Sequence, residues 1–130
     1  MISVPLVRIS VLDDTPPETR RAIGDAVHAA LVEVAGVPQD ERFQIVATGP
    51  ADNLMFDRAF GGVDRRSVVL VEITMVRTLT VNLKRQLFQR ITHHLVELAG
   101  VRSDDVFTVL TENGLADWSQ SGGELTLMPR

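Results

Sequence analysis

The chain has 130 residues, with 13 Lys and Arg against 17 Asp and Glu for a formal net charge of −4, and it contains no cysteine. That length supports one domain, residues 1–130, burying roughly two-thirds of its unfolded surface. The acidic balance argues against general binding to nucleic acid or anionic membrane, and the lack of cysteine excludes disulfides, thiolate catalysis and thiolate metal sites. No apolar run approaches the roughly 20 residues that a membrane span needs, and the N-terminus shows no basic-then-apolar leader pattern, so the chain reads as cytoplasmic.

In chain order, residues 4–12 are rich in Val, Ile and Leu and read as a strand covered on both faces. Thr15-Pro16-Pro17-Glu18 opens a helix. Thr15 is placed to cap it, Glu18 to bond back, and proline at the first helical position forfeits no hydrogen bond. Ile23, Ala26, Val27, Ala30, Leu31 and Val34 form its apolar stripe, and Gly36 stops it. A polar turn, Pro38–Glu41, leads to a strand over Arg42–Thr48. Gly49 to Arg66, with Gly61-Gly62, reads as a linker loop. A strand over residues 67–76 follows, then a helix from Thr80 with Leu83, Leu87, Ile91, Leu95 and Leu98 as its stripe and Gly100 as its stop. The turn Arg102–Asp105 precedes a strand over Val106–Thr111. In the tail, residues 113–130, Glu124–Met128 after Gly122-Gly123 suggests a short hairpin-like strand, suited to joining a neighbouring subunit's sheet.

The two halves are one segment written twice. Residues 4–46 and 68–110 align without a gap at an offset of 64, with thirteen identities. Leu31–Val37 against Leu95–Val101 is the clearest stretch. Self-similarity of this kind means one supersecondary unit used twice. Repeat one (4–48) and repeat two (67–112) each read strand, helix, strand, a unit that is normally parallel and right-handed. The expected fold is α+β: two tandem β-α-β repeats forming a four-stranded sheet with two helices on one face. The other face is then apolar and bare, which oligomerisation would cover. The sharpest difference between the copies is Pro5, whose partner is Val69.

These residues resemble the tautomerase superfamily, and within it the malonate semialdehyde decarboxylase-like group of the 4-oxalocrotonate tautomerase (MIF-like) fold. The resemblance runs from Pro5 through Gly36-Val37-Pro38, Glu41–Ile45, Phe60-Gly61-Gly62, Lys84-Arg85, Asp105-Val106-Phe107, Glu112-Asn113 and Asp117-Trp118-Ser119. It implies a homotrimer whose amino-terminal proline is the acid or base, acting on a small oxo-acid by proton transfer, with decarboxylation or hydration as variants and no cofactor or metal. Pro5 takes the catalytic position, Arg77 the first place of a two-arginine carboxylate clamp, and Glu41 the acidic position that orients water or a proton. Leu79 stands at the clamp's second place.

The sequence also sets limits on that chemistry. With Met1-Ile2-Ser3-Val4 ahead of it, Pro5 has a tertiary amide nitrogen with no proton and almost no basicity. Proline beginning an edge strand is its bland reading. Arg77 as a solvated strand-end cation and Glu41 in a local pair with Arg42 are equally ordinary. Trp118, the only tryptophan, would wall a substrate pocket or pin the tail to the core. His28 reads as a core-edge residue, and the adjacent His93 and His94 point to different faces of a helix and cannot chelate one metal well. Two alternatives stand beside the tautomerase: a catalytically altered or inactive trimer binding a small anion, and a ferredoxin-like binding module, which also contains two β-α-β units.

Overall fold

The computed structural model describes residues 5–129. Its elements are β1 (Leu6–Leu12), α1 (Pro17–Ala35), β2 (Gln44–Gly49), β3 (Val69–Val76), α2 (Val81–Ala99) and β4 (Val106–Asn113), with single 3₁₀ turns at Ser103–Asp105 and Leu115–Asp117. The sheet order is β2-β1-β3-β4. β1 pairs in parallel with β2 and β3 in parallel with β4, while β1 and β3 meet antiparallel at the centre. Each β-α-β unit is therefore unsplit. A ferredoxin-like module splits its units, so that alternative is corrected.

One consequence of the antiparallel centre positions everything that follows. The start of β1 lies beside the ends of β3 and β4, so Pro5, at the head of the first repeat, adjoins the residues that close the second.

Alternation along the central strands explains the layering. Val7, Ile9 and Val11 of β1 and Val69, Val71, Ile73 and Met75 of β3 point to one face and pack under Ile23, Ala26, Val27, Ala30 and Leu31 of α1 and Leu87, Ile91 and Leu95 of α2. A strand's side chains alternate between faces, so the opposite face takes Leu6, Arg8, Ser10 and Leu12 of β1 with Leu70, Glu72 and Thr74 of β3. The expected apolar outer face is thus corrected to a mixed one. Arg8 and Glu72 sit directly opposite each other at its centre, and apolar Leu6, Ile45 and Val109 lie exposed around them.

Helix ends show where local chemistry was read well and where it was not. Gly36 and Gly100 both close their helices in the left-handed conformation, at φ 72° and 67°, which glycine adopts without the Cβ penalty. Thr80 caps α2, its side chain accepting from Leu83 N at 3.2 Å. Thr15 does not cap α1. The cap is Pro16, without a side-chain bond, because Pro17 begins the helix one residue later than a Thr15 cap requires. Thr80→Ala is expected to lower stability by about 1 kcal/mol, and Thr15→Ala to stay within about 0.5 kcal/mol of the parent, in urea denaturation of both variants.

Two further expectations are corrected. Leu98 is 56 % exposed and lies off the buried stripe of α2. Residues 124–128 form no strand among the described residues. Gly122 and Gly123 both take positive φ, and the segment closes into turns, Glu124 N to Ser121 O and Met128 N to Leu125 O, with no ladder partner in its own chain. The linker is tied down rather than loose. Buried Arg65 donates from Nη1 to the carbonyls of Asp57 and Phe60, and Phe60 stacks on Phe107 at 5.8 Å. No helix of the described chain is long and apolar enough to cross a membrane.

Candidate active site

Pro5 is buried at the head of β1. Continuing the β1–β3 register by one step sets it opposite Met75, and Met75 pairs with Glu112 of β4. Pro5, Met75 and Glu112 thus form one row across the sheet, on the face covered by the helices. On the other side, continuing the β1–β2 register sets Pro5 level with Arg42, one residue after Glu41.

Charge concentrates at the β4 end of this row. The Glu112 side chain is 7 % exposed, and its Oε1 accepts from Lys84 Nζ of α2 at 2.5 Å. Arg77 Nε lies 3.9 Å from the same oxygen. Glu112 Oε2 is buried and has no hydrogen-bond partner. A buried carboxylate oxygen without a donor forfeits the hydrogen bonds it had in water.

Arg77 stands at the end of β3 with its side chain largely in solvent. It follows β3 directly, and its backbone N donates to Asn113 O at 2.9 Å. Its side chain is 75 % exposed. Asn113 also holds the tail, accepting at Oδ1 from Trp118 Nε1 at 2.7 Å. Arg77, Glu112 and Trp118 are therefore joined through two adjacent residues at the end of β4.

The sequence-predicted residues do converge, though in two groups. Arg77 and Trp118 gather on the β4 side of Pro5, while Glu41 lies on the β2 side, exposed, its backbone N donating to Pro38 O at 3.0 Å in the turn before β2. Arg42 reaches the helix layer, donating from Nη1 to Asp25 at 2.8 Å and from Nε to Gln44 at 3.0 Å. Met1–Val4, on which the state of the Pro5 nitrogen depends, lie outside the described residues. The histidines stand elsewhere. Buried His28 donates from Nε2 to Gln39 O at 2.8 Å. His94 pairs with Glu33, which also holds Arg90, on the outer side of the helix pair.

Lys84 and Glu112 are the residues that sequence reasoning missed as a pair. Each falls in a segment that carries the family resemblance, but they stand 28 positions apart on different elements. Only the packing of α2 over β4 brings them together.

The fold and the site at its proline end define a class of protein built by β-α-β duplication. Comparison with known proteins gives the family. Residues 41–121 match one family model described as a tautomerase enzyme and residues 5–59 match another. The chain belongs to the tautomerase family. A probable tautomerase, YrdN of Bacillus subtilis (strain 168), is 26 % identical over 93 % of this chain and 94 % of its own. Among solved structures, the FG41 malonate semialdehyde decarboxylase inhibited by 3-bromopropiolate is 38 % identical, with a TM-score of 0.85, over 93 % of this chain and 92 % of that one. A fused 4-OT symmetric trimer shares the fold, with a TM-score of 0.76 at 21 % identity over 96 % of this chain and 99 % of that one.

Proposed function

We propose that this chain catalyses proton transfer on a small oxo-acid, by keto-enol tautomerisation with decarboxylation or hydration as variants, and that it works as a homotrimer. The observation that carries this reading is the sheet end where the buried head of β1 adjoins Arg77 and the Asn113-held Trp118. Likeness to the malonate semialdehyde decarboxylase structures supports it, and the fused 4-OT trimer supports the assembly.

Each residue has a physical task. An unperturbed α-amine titrates at about 7.7–8.0, close enough to neutrality to serve as acid and base once nearby cations and burial lower it. With its nitrogen free, Pro5 would take a proton from the carbon beside the substrate carbonyl and return it elsewhere. Arg77 would hold the carboxylate, its guanidinium offering two parallel donors. Glu41 would orient water or a second proton, and Trp118 would wall the apolar side of the pocket.

Arg77→Gln is expected to raise KM for small 2-oxo or 3-oxo acids about tenfold or more, the scale of a charge-assisted hydrogen bond, and to lower kcat by a smaller factor as the Pro5 amine loses a nearby cation. Steady-state kinetics on both forms checks this. An unchanged KM removes Arg77 from the site. A second reading keeps the fold and the anion site without the proline chemistry. It draws on the four residues that precede Pro5 in the sequence, which make its nitrogen an amide.

A further inference from the structure

We infer that Lys84 is a second carboxylate-binding cation of the Pro5 site, held in place by Glu112. The inference rests on the oxo-acid reading above and adds a residue to it. Lys84 Nζ and Arg77 Nε converge on one oxygen, Glu112 Oε1, at 2.5 and 3.9 Å. Two cations face a single carboxylate, so the cluster keeps a net positive charge. The N-terminus of α2 adds to it. Lys84 stands one turn into that helix, whose first turn carries no acidic residue, and a helix start favours an anion. The excess charge thus lies along the row that begins at Pro5.

Lys84 remains 28 % exposed, so its ammonium, which has three donors and spends one on Glu112, can still meet a ligand. Glu112 Oε2 is buried, so the accessible polar groups of the cluster are the two cations. A small carboxylate fits that pair of cations. Its carboxylate would bridge Lys84 and Arg77.

The test uses the full chain and two probes, malonate and its neutral isostere malonamide, with affinities read from amide shift changes in nuclear magnetic resonance titrations. The parent is expected to prefer malonate. Lys84→Gln should weaken malonate binding about tenfold and leave malonamide unchanged, while Lys84→Arg restores most of the loss. Unperturbed spectra of each variant report that the fold is intact. If Lys84→Gln binds malonate as the parent does while Arg77→Gln binds it weakly, the inference falls and the oxo-acid reading stands. If only Lys84→Gln weakens it, the inference stands and the role of Arg77 falls. Equal affinity of the parent for malonate and malonamide overturns both.

Discussion

A chain that begins at Pro5 is expected to turn over small oxo-acids about 100-fold or more faster than the same chain with Met1–Val4 in front, the usual scale of general acid-base catalysis. The difference is covalent. Behind Val4 the Pro5 nitrogen is an amide with its lone pair drawn into the peptide bond and no hydrogen. At a chain start it is a secondary amine that can gain and lose a proton near neutral pH. The rest of the site is expected to change little between the two forms, since Arg77, Glu112 and Trp118 are held by β3, β4, α2 and the tail. Both forms should therefore bind malonate, and they should differ in kcat rather than KM. Equal kcat values in the two forms would remove Pro5 from the mechanism and favour an anion-binding protein without proline chemistry.

Ile91→Ala is expected to cost about 2–5 kcal/mol. Ile91 is 0 % exposed and lies in the cluster that joins α2 to β3 and to α1. Truncating it removes apolar contacts and leaves a cavity that close-packed neighbours fill only in part. Leu98→Ala, on the same helix but 56 % exposed, should cost well under half as much. Urea denaturation of the pair separates the buried stripe from its frayed edge. Loss of α2 packing reaches the site as well, because α2 carries Lys84 onto Glu112.

Much of this architecture is legible in the sequence, for reasons that are local or periodic. The repeat offset fixes the order of elements, and the glycines at 36 and 100 sit where the helices need a left-handed residue. Thr80 caps as its position suggests. Thr15 misled because two prolines follow it, and the helix starts at the second of them. The outer face misled for a different reason. Val and Leu crowd β1 and β3 so densely that Arg8 and Glu72 look incidental, yet period-two alternation places both on the uncovered face, opposite one another. Leu98 follows the helical spacing, but at that end of α2 it is Ala99 that packs against the core and Leu98 that stays exposed.

The site divides along the same line. Pro5 stands out because its repeat partner is Val69, and Arg77, Glu41 and Trp118 stand out through family resemblance. The row from Pro5 through Met75 to Glu112, and the meeting of Lys84 with Glu112, depend on sheet register and helix packing, which no local pattern encodes.

The central claim is that Pro5 acts through a free amine. Its most direct test is the intact mass of the protein purified without a tag from its native source, taken on a preparation that turns over oxo-acids. The predicted mass is that of residues 5–130. An active preparation whose mass includes Met1 would contradict the claim.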